Sequence, residues 1–131
     1  MYKKTITYTD FNDAERTEDF YFNISKAELF NLNFSYPGGL ADHIRRISAA
    51  QNNSELIKIF SEIIDLAYGE KDATGRRFVK SPELTEAFKQ TNAYSILYME
   101  LATDSDAAAE FINGVVPADL SEAVAKAQLP G

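Results

Sequence analysis

Among the residues able to do chemistry, the run from Glu70 to Ser81 has the most suggestive spacing. Glu70, Asp72 and Thr74 stand where a calcium loop places its first, third and fifth ligands, and Gly75 takes the sixth position. The twelfth position of such a loop carries a bidentate glutamate, but here it is Ser81, and Arg76 and Arg77 fill the seventh and eighth. Two cations beside a divalent ion oppose its binding. The segment therefore predicts a turn closed by Asp72 and Gly75.

The other reactive groups are equally isolated. His43 is the single histidine, and its own helix offers it only Asp42 alongside and Ile47 at the next turn. Neither a metal site nor a nucleophile–base pair can be assembled from that set, so His43 reads as a surface or half-buried side chain. No serine or threonine lies in a nucleophile elbow. Glu15, Glu18 and Asp19, and likewise Asp104 and Asp106, fall at turns and helix starts, where a carboxylate favours the positive end of a helix. None stands on an apolar face that would raise its pKa for acid catalysis. Gly38-Gly39 lacks the lysine and the spacing of a phosphate loop. No catalytic residue, metal ligand or cofactor-binding residue is predicted, and the chain reads as non-enzymatic.

What remains is contact chemistry. Tyr94 and Tyr98 lie one helical turn apart, and tyrosine joins a large apolar area to one polar tip. They are candidate partner-binding residues, set against the alternative that both belong to the core with their hydroxyls at the surface. The segment after Pro117, with Leu120 and Val124, is a further docking candidate, being weakly tied to the core and able to order on a partner.

Composition bounds these readings. The chain has 131 residues, 45% of them hydrophobic, with seven tyrosines and nine phenylalanines, which is enough to bury a core and is expected to form a single domain, 1–131. Its net charge of −7 would repel nucleic-acid phosphate. The absence of cysteine excludes disulfides, zinc-thiolate sites and thiol chemistry. The start, MYKKTITYT, has no apolar stretch behind its lysines, and no apolar run has the length of a membrane span, so no membrane partner is expected.

The elements that must position these residues follow from periodicity. Residues 2–24 predict a β-hairpin: Tyr2, Ile6 and Tyr8 alternate with Lys3, Thr5 and Thr7, and Phe20, Phe22 and Ile24 repeat the pattern. Residues 25–116 predict a helical core. Ser25 with Glu28 forms a capping box before a helix whose apolar side is Leu29, Phe30 and Leu32. Leu40, Ile44 and Ile47 mark a second helix, and Ser54 is placed to cap a third, central one with Leu56, Ile59, Phe60, Ile63, Ile64 and Ala67 inward. Gly69 is positioned to end that helix in the left-handed conformation. A short turn and strand at 70–80, with Phe78-Val79, leads to a helix opened by Ser81-Pro82 and carrying Leu84 and Phe88. Thr91 or Asn92 begins the helix of Tyr94, Leu97, Tyr98 and Leu101, and Asp104 or Ser105 caps a last one that ends at Asn113-Gly114. Residues 117–131 read as a weakly helical, frayed tail. The predicted class is α+β and mostly helical, an N-terminal β-hairpin packed on about five to six short helices.

Three stretches of this sequence carry a resemblance: TITYTDFNDAERTEDFYFNISKAEL near the start, AYGEKDATGRRFVKSPEL at Ala67–Leu84, and MELATDSDAAAEFINGVVP at Met99–Pro117. They resemble the tail assembly chaperones of long-tailed, siphovirus-type phages and prophages of Gram-positive bacteria, over most of the chain from Lys4 to Leu120. The shared features are structural punctuation, so no site residue is carried over. The resemblance implies a non-enzymatic protein of virion morphogenesis that coats the tape measure protein, keeps it soluble and helps recruit tail tube subunits. It also implies a homo-oligomer acting in the cytoplasm of the bacterial host and missing from the mature virion. Many such proteins have a longer frameshifted form, and the ending VAKAQLPG would suit the unshifted product. Two other classes stay open: a structural virion protein, such as a head–tail connector or minor tail protein, and a small host-directed binding module.

Overall fold

The computed structural model describes residues 1–116, in which six helices pack around a four-stranded antiparallel sheet. The mostly helical α+β class is as expected. Strand β1 (Tyr2–Thr9) pairs with β2 (Glu15–Phe22), opposing Ile6 to Glu18 and Tyr2 to Phe22. Asp10 closes the turn between them: one carboxylate oxygen accepts the N–H groups of Asn12 and Ala14, and the other accepts Arg16 Nε at 2.6 Å. Asp13 takes the left-handed conformation that short polar side chains tolerate, with φ 62°. Of the alternating apolar face, Ile6, Tyr8 and Phe22 are buried, so it serves the core.

Helix α1 (Lys26–Phe34) opens with the capping box. Ser25 accepts the Glu28 N–H, and the Glu28 carboxylate accepts the Ser25 N–H. Helix α2 (Leu40–Ala49) buries Leu40, Ile44 and Ile47, and α3 (Asn53–Ala67) buries its six expected residues at the centre of the core. The cap of α3 is Asn52 instead of Ser54; its side chain reaches Glu55 N–H directly, and Gln51 absorbs the bend at φ 56°.

Strand β3 (Tyr68–Lys71) was not expected. Gly69 does not end α3 in the left-handed region; the chain leaves the helix already extended and pairs Tyr21 with Gly69 and Phe22 with Tyr68. The glycine is required by proximity. A Cβ there would lie 2.8 Å from the Val79 carbonyl oxygen and 2.7 Å from Phe78 Cε2, both in the neighbourhood of β4 (Phe78–Val79). The β3–β4 turn is the predicted one, with Gly75 at φ 73° donating its N–H to the Asp72 carbonyl.

Helix α4 (Pro82–Lys89) is capped by Ser81, α5 (Asn92–Thr103) by Thr91, and α6 (Ser105–Val115) by Asp104. Gly114 does not terminate α6. It lies within the helix, where a Cβ would meet Tyr2 Cδ2 at 2.5 Å, so its bareness lets the first strand approach. Phe88 from α4 joins the layers: its ring stacks on Tyr68 at 4.2 Å and meets Phe20, Phe22 and Tyr94 within 6 Å.

Candidate partner-binding surface

The groups that suggested chemistry in the sequence are occupied with structure. Asp72 Oδ1 accepts the Thr74 N–H and hydroxyl and the Arg77 N–H, which together hold its carboxyl below the ordinary range. It is a turn-closing aspartate. His43 is half-buried and lies against the Tyr36 ring, 4.6 Å between centroids. Asp104 caps α6, Asp19 accepts the Thr5 hydroxyl, and Glu18 accepts that of Tyr8. At Gly38-Gly39 the first N–H of α2, that of Leu40, is taken by Asn33 Oδ1 at 3.1 Å. Among the described residues no group of three or more His, Cys, Asp or Glu side chains is arranged to hold a metal ion.

One half-buried ionisable group stands apart. Asp65 on α3 has an oxygen, Oδ1, that is buried without a hydrogen-bond partner, and Lys89 approaches the other at 3.4 Å. Burial pushes this carboxyl up in spite of the lysine. It sits beneath Tyr94, whose own hydroxyl is pushed up to about 12, chiefly by burial and then by Asp65.

The two tyrosines singled out in the sequence do lie together. Tyr94 and Tyr98 are both half-buried on α5 with centroids 5.8 Å apart. Tyr94 turns inward onto Phe88, whereas Tyr98 accepts a hydrogen bond from Ser61 and borders a small apolar crease with Ile57, Phe60 and Leu101. On the same helix Ile96 and Met99 are 42% and 56% exposed. Leu120 and Val124 fall outside the described residues.

The largest exposed rings on a helix are Phe30 and Phe34 of α1, at 62% and 76% exposure. This corrects the assignment of Phe30 to the inner side. Leu29 is buried and Leu32 half-buried, but Phe30 is about a quarter-turn away from Leu29 and packs edge-on against Phe34, 4.9 Å between centroids. Beyond Phe34, the turn Tyr36-Pro37-Gly38-Gly39 continues the surface into an open groove of about 510 Å³. The sequence held the signal: Leu29 and Leu32 form one apolar line, and Phe30 and Phe34 a second that the core cannot also use.

The family profile described as phage tail assembly chaperone matches residues 1–130. The chain belongs to the phage tail assembly chaperone family. No curated protein and no solved structure matches it. For a tail assembly chaperone the relevant geometry is a surface for protein partners, and this family member presents apolar side chains from α1, α3 and α5 on an otherwise charged exterior. No helix among the described residues is long and apolar enough to cross a membrane.

Proposed function

We propose that this chaperone coats and solubilises the tape measure protein of a siphovirus-type phage of Gram-positive bacteria, and helps recruit tail tube subunits to it. It does so without catalysis, as a homo-oligomer in the host cytoplasm, and leaves before the virion matures. The observation that carries this reading is the family profile over residues 1–130. The exposed side chains support it: Phe30, Phe34, Ile57, Ile96 and Met99 offer apolar area on three helices, while a net charge of −7 keeps many copies soluble. Ile96 and Met99, one turn apart on α5, form one proposed contact, and Tyr98 beside Ile57 a second, with Tyr94 supporting it from inside; Leu120 and Val124 are further proposed contact residues.

The test is affinity capture of the tagged chain from cells also expressing the neighbouring tape measure and tail tube proteins, together with mass spectrometry of purified particles. The reading expects the tape measure protein in the captured complex and no chaperone in the particles. Stoichiometric chaperone in the particles would instead mark a structural virion protein.

A further inference from the structure

Strand β2 leaves most of one edge unpaired. It runs along β1 for its whole length, but β3 joins it only at Tyr21 and Phe22 and then turns aside to pair with β4. Hydrogen bonds at the two ends of β2 show which way its backbone points. The Asp10 N–H donates to the Ala14 carbonyl at 2.8 Å, on the side of β1, and the Asn23 N–H donates to the Ala67 carbonyl at 2.8 Å, on the side of β3. This direction alternates along an antiparallel strand, so Arg16, Glu18, Phe20 and Phe22 bond to β1. Glu15, Thr17 and Asp19, all exposed, present their N–H and C=O groups on the open edge. Toward β1 these residues meet through side chains, Thr17 with Thr7 at 2.9 Å and Asp19 with Thr5 at 2.6 Å, as non-hydrogen-bonded pairs do.

Where β3 diverges, an open cleft of about 450 Å³ borders this edge, lined by residues 18–21 of β2 and 68–71 of β3. Burial pushes the Tyr68 hydroxyl in this lining up, and the charges that add to the push are two carboxylates, Glu70 and Glu18, one from each wall. The neighbouring cations are placed elsewhere. Arg16 is bonded to Asp10 at 2.6 Å, and Lys71 lies over the Tyr21 ring at 4.5 Å, with Lys3 opposite Tyr21 on β1. Arg76 and Arg77 follow in the turn past Lys71 and are not part of the lining.

From this we infer that the open edge of β2 accepts an extended segment of a tail protein as an added strand, with a lysine or arginine opposite Glu18. The inference rests on the proposed function for the source of that segment. Outward N–H and C=O groups at every second residue are the template an incoming extended backbone needs. The residue set opposite Glu18 points to the same face of the sheet, which brings its cation to Glu18 and Glu70 together. A second copy of β2 suits the edge less well. Two-fold pairing about Thr17 would set Glu15 against Asp19 twice, and its Arg16–Glu18 pairs would compete with the bond from Arg16 to Asp10.

The experiment uses the purified full chain and fluorescent peptides tiling the tape measure and tail tube proteins, read by anisotropy. Amide exchange of the free and the bound chain is followed by NMR. The wild-type chain binds a subset of peptides that carry lysine or arginine in an extended stretch. On binding, exchange slows at Glu15, Thr17 and Asp19, but not at Arg16 and Glu18, whose N–H groups β1 already holds. Thr17→Pro removes an outward N–H that β1 does not use, at an edge position that tolerates proline. It keeps its circular dichroism and binds about tenfold or more weakly, whereas Thr17→Val retains the N–H and binds within about twofold of wild type. Glu18→Gln, still an acceptor for the Tyr8 hydroxyl, weakens binding about threefold. A folded Thr17→Pro variant that binds within about twofold of wild type overturns the inference and leaves the proposed function standing. Should that variant unfold, unchanged exchange at Glu15, Thr17 and Asp19 on peptide binding overturns it equally. Protection of the same amides in the chain alone, rising with its concentration, marks a second copy as the occupant and has the same consequence. If no peptide binds, the inference falls, and capture of the whole tape measure protein decides the proposed function separately.

Discussion

Lys80 Nζ lies 2.7 and 2.8 Å from the two carboxylate oxygens of Glu28, and the same ammonium donates to the Asn23 carbonyl at 2.6 Å. One side chain thereby joins the exit of β2, the capped start of α1 and the end of β4. Because Glu28 is also the reciprocal partner of Ser25, the ion pair positions the helix that carries Phe30 and Phe34.

Acid should release this junction. Burial pushes the Glu28 carboxyl up, but the Lys80 hydrogen bonds and the Ser25 N–H outweigh it and hold the group below its ordinary 4.5. A depressed carboxyl adds stability that is complete above the unfolded value and disappears as pH falls through the folded one. Glu28→Gln should therefore cost about 1 kcal/mol near neutral pH, and the gap to wild type should narrow as the pH falls below that ordinary 4.5. Urea unfolding at neutral pH and across the acid range measures it. A gap that does not change with pH would contradict the assignment.

Phe88 is the side chain whose loss should damage the fold most. It is 3% exposed and touches rings from β2, β3 and α5. Phe88→Ala should destabilise by about 3–5 kcal/mol, the range for a buried phenylalanine. A denaturant midpoint close to wild type would mean that the sheet and α4 pack differently.

Two glycines offer a graded comparison. At Gly69 a Cβ would press on a backbone carbonyl, which cannot move without breaking the β3–β4 pairing. At Gly114 it would press on the half-buried Tyr2 ring near the start of the chain, and alanine would gain helix propensity of about 1 kcal/mol. Gly69→Ala should lower Tm more than Gly114→Ala. The reverse order would show that β3 does not take this register.

On α5, exposure separates contact residues from packing residues. Ile96→Ser/Met99→Ser should leave Tm within a few degrees and weaken capture of the tape measure protein about threefold or more. Tyr94→Ala should instead lower Tm, because its ring packs on Phe88. Unchanged capture by the first variant would remove α5 from the proposed contact.

The parts of the fold legible in the sequence were those with local causes. Ser25, Ser81 and Thr91 announce helix starts because their side chains can satisfy the first free N–H groups, and Asp72 with Gly75 announces a turn. Strand β3 was hidden because its residues are two by two apolar and charged, Tyr68-Gly69-Glu70-Lys71, without alternation, and its pairing partner Phe22 is distant in sequence. Gly69 and Gly114 read as helix ends because glycine commonly serves there; their real constraint is a neighbour's approach, which spacing cannot reveal. Apolarity alone assigns Phe30 inward, although a helix already buried through Leu29 has no second core to offer it. That reading conceals an exposed pair of rings, Phe30 and Phe34, one turn apart on α1.

The most direct measurement of the central claim is the soluble fraction of the tape measure protein, expressed alone and together with this chain, after centrifugation and size-exclusion chromatography. The account predicts a largely insoluble tape measure protein alone, and a soluble one that co-elutes with several copies of the chaperone when both are made. A tape measure protein that stays insoluble, or that is soluble without associating with this chain, would contradict it.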